Sequence, residues 1–140
     1  MTDPLEVTLH VDGASKGNPG HAGIGVLAES DGVTLTEFSD YIGQTTNNTA
    51  EYRALIKGLE IAQSLGAEAV SVISDSELIV KQINGSYRVK NASLRPLYQE
   101  ARQRSDTFKS FQIRHVPRSE NKQADRLANE GILNGKGPKT

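Results

Sequence analysis

The sequence predicts an α/β fold built on a five-stranded mixed sheet, with the element order β-β-β-α-β-α-α-β-α. Residues 6–42 alternate apolar and polar side chains between turn-forming segments, which is typical of consecutive antiparallel strands. From residue 46 onward apolar residues recur at helical spacing, and two short runs of strand-forming residues lie between the helices. A strand–helix–strand crossover joins parallel strands, so the later part of the sheet is predicted to be parallel.

Three strands are predicted in the first third of the chain, over residues 6–12, 22–30 and 33–42. The first strand has apolar residues at every second position, which indicates one buried face, and it ends in Asp12. The segment 13–20 reads GASKGNPG and consists of turn-forming residues, so it predicts a loop. Asp31-Gly32 indicates a hairpin turn, and the three strands are therefore predicted to form an antiparallel meander.

Helices and strands alternate in the rest of the chain. Residues 46–49 offer N-cap side chains for the first helix, Glu51 is predicted in its first turn, and Gly66 ends it. The later elements are predicted as a strand over 69–74, helices over 76–84 and 94–107, a strand over 108–116 and a helix over 122–133. Residues 85–93 are predicted to be irregular, and residues 134–140 to form a flexible tail.

The composition restricts the class of protein. With 140 residues, of which 36% are hydrophobic, the chain can bury one core, so residues 1–140 are predicted to form a single domain. No apolar run approaches the roughly 20 residues that a membrane span requires, and the first residues lack the pattern of a secretory signal. The absence of cysteine excludes disulfides and thiolate metal sites. We therefore expect a cytoplasmic protein that binds any metal through carboxylates, imidazoles or carbonyls.

Charge is distributed unevenly along the chain, although the formal net charge is only −1. Residues 1–80 carry 3 Lys and Arg against 12 Asp and Glu, whereas residues 81–118 carry 9 against 2. An acidic metal-binding surface beside a basic surface for a polyanion would produce this division. Solvated helix faces would also produce it, and for the charge pattern alone they are the better explanation.

Four carboxylates occupy positions from which they can meet at one edge of the sheet. Asp12 ends the first predicted strand and Asp75 follows the fourth, so they emerge together if those strands are neighbours. Glu51 and Asp125 each lie near the start of a helix that can face this edge. Converging carboxylates raise one another's pKa unless a cation compensates, and oxygen ligands indicate Mg²⁺ or Mn²⁺, as in two-metal phosphoryl transfer. Taken singly, each acid is more simply explained as a turn former, a helix-start residue or a solvated surface group.

Four segments carry a family resemblance: HVDGASKGNPGHAGIGV, TTNNTAEYRALIKGLE, ISDSELIVKQI and HVPRSENKQADRLAN. In order and spacing they resemble the signature blocks of type 1 ribonuclease H, a metal-dependent endonuclease that cuts the RNA strand of RNA–DNA hybrids. The resemblance implies a ribonuclease H-like fold, in which Asp12, Glu51, Asp75 and Asp125 surround two Mg²⁺ ions, with Mn²⁺ as a substitute. It also implies in-line attack of water on the scissile phosphate, which leaves 5′-phosphate and 3′-hydroxyl ends.

The same resemblance implies contacts to the substrate. Asn18, Asn47 and Asn48 match family positions that contact sugar 2′-hydroxyls or bases, and an amide suits a hydroxyl because both donate and accept hydrogen bonds. Thr46 matches a phosphate-binding threonine on the side of the DNA strand, and Ser76 matches the position beside the third acid. Turn and cap chemistry explains any single one of the asparagines equally well.

Departures from the family pattern also concern the substrate. Arg118 lies in the short connection where many members carry a histidine, and it is expected to hold the scissile phosphate or assist product release, unless it is only a solvated surface group. The basic insertion of some members is missing, so the chain resembles a compact form in which Lys81, Arg88 and Lys90 partly compensate. Glu77 stands where related enzymes often have a glutamine, and a carboxylate cannot donate the same hydrogen bond.

Hypotheses from three classes follow from these residues. The first is an active, monomeric ribonuclease H whose partner is an RNA–DNA hybrid, with no membrane partner. The second is a non-catalytic module that binds hybrids, although a binding domain has little reason to hold four converging acids. The third is a related nuclease that acts on double-stranded RNA or on DNA junctions. The asparagines predicted near the 2′-hydroxyls favour a substrate with an RNA strand.

Overall fold

The computed structural model of the chain describes residues 4–136. Its strands are β1 (Glu6–Gly17), β2 (Gly20–Ser30), β3 (Val33–Thr45), β4 (Ala69–Ser74) and β5 (Ser110–His115). Its α-helices are α1 (Asn47–Ser64), α2 (Glu77–Ile83), α3 (Arg95–Ser105) and α4 (Lys122–Lys136), and a short 3-10 helix spans Arg118–Glu120. The predicted order of strands and α-helices is confirmed. Among the described helices, none is long and apolar enough to cross a membrane.

The five strands form one mixed sheet in the order β3-β2-β1-β4-β5. β1 runs antiparallel to β2, and β2 runs antiparallel to β3, which is the predicted meander. β4 runs parallel to β1, and β5 runs parallel to β4, because helical crossovers connect these strands. The first and fourth strands are therefore neighbours at the centre of the sheet, which is the condition that the carboxylate hypothesis required.

The predicted loop over residues 13–20 is wrong, because β1 continues to Gly17 and a tight turn leads directly into β2. Gly13 shows why this stretch of strand is rich in glycine. A Cβ atom built there would lie 2.2 Å from the carbonyl carbon of Ala50 in α1, so only glycine lets the helix approach this closely. Asp12 consequently lies inside β1 and not at its end, as the sequence predicted.

The junction between β3 and α1 also differs from the prediction. β3 ends at Thr45 and not at residue 42, because its pairing with β2 continues as far as Gly20. α1 then begins at Asn47, with Thr46 as its N-cap residue. Glu51 therefore lies in the second turn of α1, and its predicted place in the first turn is wrong.

α4 continues beyond its predicted end, so the flexible tail is wrong for residues 134–136. Gly135 explains the extension, since the helix backbone at this position lies directly against the ring of Tyr41 in β3. The rest of the predicted tail, residues 137–140, lies outside the described residues. α3 and β5 are shorter than predicted because a turn separates them.

The main hydrophobic core lies between the sheet and α1, α2 and α3. α1 buries Leu55 and Leu59 against β1 and β2, following the helical spacing of its apolar residues. The hydroxyl of Tyr52 donates a hydrogen bond of 2.6 Å to Oε1 of Gln82, which joins α1 to α2 inside this core. α4 packs on the opposite face, where a Cβ atom at Gly25 would lie 2.5 Å from a backbone oxygen of α4. The sheet edge that carries the acids is thus held between helices on both faces.

Candidate active site

Asp12 and Asp75 lie side by side because the parallel pairing of β1 and β4 stops one residue before each of them. Val11 faces Ser74 in the last pair of that ladder. The next residue of each chain emerges at the same edge of the sheet, although only β4 ends there. Asp12 is 4% exposed, so its carboxylate points into the protein and not into solvent.

Glu51 reaches the same point from α1. The backbone N–H of Gly13 donates a hydrogen bond of 2.8 Å to Oε1 of Glu51, a contact that the missing Cβ atom of Gly13 permits. Asp12, Glu51 and Asp75 each offer a carboxylate oxygen, and these oxygens lie within 4.8 Å of one another. We call these three residues the carboxylate cluster.

Burial and mutual repulsion change the pKa values of the carboxylate cluster. Burial raises the pKa of Asp12 far above its usual range, and the negative charges of Glu51 and Asp75 raise it further. Burial also raises the pKa of Glu51 and that of Asp75, while the Arg118 guanidinium opposes the rise in both. A site that disfavours its own negative charge in this way is one that a bound cation stabilises.

The donor set of the cluster fits a hard divalent cation. Oδ2 of Asp75 is buried and has no hydrogen-bond partner among the described residues. The ligand atoms on offer are all carboxylate oxygens, which Mg²⁺ and Mn²⁺ prefer, whereas zinc sites use nitrogen and sulfur donors. Asp12, Glu51 and Asp75 could therefore hold such an ion.

Asp125 adjoins the cluster without joining the group of three. It lies in the first turn of α4, where Nη2 of Arg118 donates a hydrogen bond of 3.0 Å to its Oδ1. Nδ2 of Asn129 donates to the same oxygen over 3.3 Å. The charge of Asp125 raises the pKa of Asp12, so the two carboxylates interact electrostatically. The structure thus brings three of the four predicted acids within 4.8 Å of one another and holds the fourth beside them.

The residues predicted to contact RNA gather around the N-terminus of α1. Oδ1 of Asn18, in the turn between β1 and β2, accepts a hydrogen bond of 3.0 Å from the backbone N–H of Asn47. Thr46 caps the helix, since its Oγ1 accepts a hydrogen bond of 3.2 Å from the Thr49 N–H. Asn18, Thr46 and Asn48 line an open cleft of about 420 Å³. Turn and cap roles are therefore real for Asn18 and Thr46, and both residues still border open space.

The predicted cations lie in residues 81–95, which we call the basic segment. Lys81 is in the last turn of α2, and Arg88 and Lys90 follow that helix. In the described part of the chain, no further helix lies between α2 and α3. Nζ of Lys81 lies 3.4 Å from the Glu77 carboxylate and 3.2 Å from the Tyr87 hydroxyl, so its charge is partly neutralised. The structure thus places these cations on the surface, where Lys81 is partly covered and Arg88 and Lys90 are exposed.

Ser76, predicted beside the third acid, holds the turn that carries Asp75. Its Oγ accepts a hydrogen bond of 3.3 Å from the Ile79 N–H at the start of α2. Its own backbone N–H donates a hydrogen bond of 3.0 Å to Oγ of Ser74. These two bonds fix the backbone on both sides of Asp75, so Ser76 has a structural role whether or not it contacts a substrate.

Asn121 is the site residue that the sequence did not reveal. It is 2% exposed, and its Nδ2 donates a hydrogen bond of 2.9 Å to the carbonyl oxygen of Val11. Because it directly precedes α4, its sequence position indicates only an ordinary helix cap. The contact joins residues separated by 110 positions, and no local pattern could have indicated it.

Known proteins resemble this chain over most of its length. A family model described as reverse transcriptase-like matches residues 10–131. A ribonuclease HI of Halobacterium salinarum is 43% identical over 127 residues, which cover 90% of this chain and 64% of that protein. A ribonuclease H of Pseudomonas savastanoi pv. phaseolicola is 33% identical, and the alignment covers 100% of both chains. The chain spans only 36% of a bifunctional protein of Mycobacterium tuberculosis to which it is 42% identical.

Solved structures share both the sequence and the architecture. RNase H1 of Halobacterium salinarum superposes with a TM-score of 0.90 at 42% identity, covering 92% of this chain and 98% of that chain. LC11-RNase H1, in complex with an RNA/DNA hybrid, superposes with a TM-score of 0.89 at 41% identity, covering 94% of this chain and 99% of that chain. With a family model, full-length relatives and solved structures in agreement, the chain belongs to the type 1 ribonuclease H family, in the compact form without the basic insertion.

Proposed function

We propose that the chain is an endoribonuclease that hydrolyses the RNA strand of RNA–DNA hybrids and leaves 5′-phosphate and 3′-hydroxyl ends. The observation that carries the proposal is the carboxylate cluster, in which two buried acids and the half-buried Asp75 place their oxygens within 4.8 Å of one another. Assembling this cluster costs free energy, because folding must bury carboxylates and bring their negative charges together. A module that only binds nucleic acid does not require such a cluster. The relative solved in complex with an RNA/DNA hybrid supports the substrate class.

Asp12, Glu51, Asp75 and Asp125 are proposed to hold two Mg²⁺ ions, with Mn²⁺ as a substitute. Divalent ions bound to such carboxylates neutralise charge on a phosphodiester and lower the pKa of water. The contribution of the chain is to hold its oxygens in place before the substrate arrives. Burial of Asp12 and Glu51 restricts both side chains, and the Gly13 N–H orients Glu51. Loss of any one of these acids therefore removes a fixed charge that no mobile side chain can replace.

Arg118 is proposed to contact the scissile phosphate or the departing product. Its guanidinium stays protonated at neutral pH, so it cannot act as a general base. Nη2 of Arg118 donates a hydrogen bond to Asp125, while the Arg118 side chain as a whole is 73% exposed and offers further donors. A guanidinium between the partly exposed Asp125 and solvent is suited to binding phosphate oxygens.

The polar residues around α1 and the basic segment are proposed to bind the hybrid. Oδ1 of Asn18 is occupied by the Asn47 N–H, so the NH₂ group of Asn18 is left to donate to a 2′-hydroxyl. Asn48 borders the same cleft. Sugar or base contacts are proposed for the asparagines, and phosphate or backbone contacts for the remaining polar and basic residues: Asn18, Asn47, Asn48, Thr46, Ser76, Lys81, Arg88 and Lys90.

Cleavage of end-labelled duplexes by the full chain tests this function. An RNA–DNA hybrid, a double-stranded RNA and a double-stranded DNA are each incubated with Mg²⁺, with Mn²⁺ and with EDTA. We expect cleavage of the RNA strand of the hybrid with either ion and none with EDTA. Cleavage of duplex RNA at a similar rate would assign the related nuclease instead, and a gel shift without cleavage would assign a binding module.

Some properties of the chain stay predictions from the sequence. These are a single domain over residues 1–140, a monomeric state, a cytoplasmic location and activity on double-stranded RNA as a second substrate. Sedimentation of the full chain and the duplex comparison above address the oligomeric state and the second substrate. A hybrid that stays intact with both metal ions over the whole neutral pH range contradicts the proposed function.

A further inference from the structure

Asn121 directly precedes α4 and joins it to β1, the strand that carries Asp12. It is 2% exposed, and its Nδ2 donates a hydrogen bond of 2.9 Å to the carbonyl oxygen of Val11, the residue before Asp12. Its own carbonyl oxygen accepts a hydrogen bond of 3.1 Å from the backbone N–H of Asp125. One residue thus bonds the backbone beside one acid and the backbone of another.

The side-chain amide of Asn121 can take only one orientation. Its NH₂ group must face the Val11 carbonyl, because an oxygen in that place would repel the carbonyl oxygen. Its Oδ1 is buried and has no hydrogen-bond partner among residues 4–136. An asparagine that precedes a helix usually turns this oxygen toward the first helical N–H groups. The Asn121 side chain does not form that cap and instead bonds to the backbone of β1.

The strand that Asn121 bonds carries Asp12, whose carboxylate offers an oxygen within 4.8 Å of those of Glu51 and Asp75. Oδ2 of Asp75 keeps no partner among the described residues, so one oxygen of the acid stays available to a ligand. Asn121 therefore bonds two stretches of chain that each carry a proposed ligand, the middle of β1 and the start of α4.

We propose that Asn121 is a positioning residue that sets the spacing of Asp12, Asp75 and Asp125 for cation binding. The inference rests on the proposed function, since it assigns a purpose to that same site. Asn121 bonds the carbonyl of Val11, which belongs to the last pair of the β1–β4 ladder, and so holds the backbone just before Asp12. Acting through other residues, it affects metal affinity and turnover and leaves hybrid binding unchanged.

The test replaces Asn121 with leucine, a side chain of similar size without polar atoms, in the full chain. Binding of Mn²⁺ alone is followed by electron paramagnetic resonance without nucleic acid, and kcat and KM for hybrid cleavage are measured in parallel. Removing a hydrogen-bond partner of metal ligands lowers metal affinity or activity by about 10- to 100-fold. We therefore expect Asn121→Leu to raise the Mn²⁺ dissociation constant and to lower kcat to that extent, with KM unchanged.

Gln82→Leu is the matched control, because it removes another buried amide that lies in the core. Gln82 is 5% exposed and accepts its hydrogen bond from Tyr52. The control is expected to lower the melting temperature while the Mn²⁺ affinity and kcat stay those of the unmodified chain. If Asn121→Leu binds Mn²⁺ as tightly as this control, the proposal is overturned, and Asn121 only stabilises the fold.

A second measurement uses the unmodified chain and so does not depend on whether Asn121→Leu folds. The side-chain NH₂ resonances of Asn121 are expected to shift on addition of Mg²⁺, with the same midpoint as the backbone amides of Asp12 and Asp75. Resonances that stay in place while those amides move contradict the proposal. A chain that binds Mn²⁺ but leaves the hybrid intact contradicts the proposed function alone, because the metal titration does not depend on cleavage.

Discussion

The carboxylate cluster and the basic segment are held by the fold in different ways. Asp12 is 4% exposed and lies on the central strand, with helices packed on both faces of the sheet. Arg88 and Lys90 are exposed on the connection between α2 and α3. The bonds that hold this connection are local, such as the one of 3.2 Å from Nε of Arg95 to the carbonyl oxygen of Val89.

This difference in burial indicates that the carboxylate cluster contributes to turnover and the basic segment to binding. Buried acids from three parts of the chain form a fixed charge distribution, and preorganised charges of this kind contribute to catalysis because nothing has to move during the reaction. Exposed cations on a connecting segment meet phosphates at varying positions, and their contribution depends on salt. A change in the cluster is therefore expected to abolish turnover, whereas a change in the basic segment weakens binding by degrees.

Asp12→Asn tests the cluster with the smallest possible change of shape. We expect hybrid cleavage at saturating Mg²⁺ to fall by at least about 100-fold, because a neutral amide cannot supply the fixed charge of the buried acid. In EDTA the same variant is expected to melt at an equal or higher temperature, since it removes a carboxylate that burial and repulsion disfavour. Initial cleavage rates and thermal melts measure the two effects.

Asp31→Asn is the control for this comparison. Asp31 lies in the β2–β3 hairpin turn with φ of 51°, a conformation that asparagine also adopts readily, and it is exposed. We expect its cleavage rate to equal that of the unmodified chain. A cluster variant that cleaves as fast as Asp31→Asn would show that Asp12 has no part in turnover.

The pH dependence of stability sharpens the comparison, because among residues 4–136 only the carboxylate cluster has clearly raised carboxyl pKa values. The folded state keeps protons on Asp12, Glu51 and Asp75 that the unfolded chain loses above about pH 4. Without metal, the free energy of unfolding therefore falls as the pH rises, by about 1.4 kcal/mol per pH unit for each carboxyl protonated in the folded state alone. Mg²⁺ binds the deprotonated form, so its stabilising effect grows over the same range.

Thermal melts in EDTA and in Mg²⁺, at intervals from acid to alkaline pH, measure this effect. The melting temperature is expected to fall with rising pH in EDTA, and less steeply for Asp12→Asn, which has lost one of the titrating groups. In Mg²⁺ the fall is expected to disappear. Melting temperatures in EDTA that are the same at every pH would show that the cluster is not strained by its own charge.

The sequence predicted the parts of the fold that local patterns determine. β4 has its predicted bounds, Ala69–Ser74, because a run rich in β-branched residues between two helices has few other solutions. The predicted loop was wrong for residues 13–17, because their turn-like composition does not produce a turn here. They pair with β2 as a strand, and the glycine at position 13 makes room for α1. Only the tertiary contact explains that composition.

The same limit applies to the site. Placing Asp12 and Asp75 together required that two strands be neighbours. The crossover rule made their parallel direction predictable, and the structure shows that they are adjacent. Asp125 was expected in the same position relative to the cation as the other acids, yet it lies beside the cluster with Arg118 bonded to it. The role of Asn121 could not be predicted from the sequence. An asparagine just before a helix can cap that helix or, as here, bond to β1, and its position in the sequence is the same in both cases. The sequence predicted the order of the elements, but it did not predict the directions in which these side chains point.

The basic segment gives the smallest expected effect. The double variant Arg88→Ala/Lys90→Ala is expected to raise KM for the hybrid several-fold and to leave kcat unchanged, because it removes exposed cations that are not part of the carboxylate cluster. The slope of log KM against log salt is expected to fall by about 0.7 to 0.9 for each phosphate that the variant no longer neutralises. Lys109→Ala is the control, since Lys109 is an 80% exposed cation beside the opposite end of the central strands, where it pairs with Glu68. A double variant with the salt slope of this control, or with a lowered kcat, would show that the two regions do not divide binding and turnover as their burial indicates.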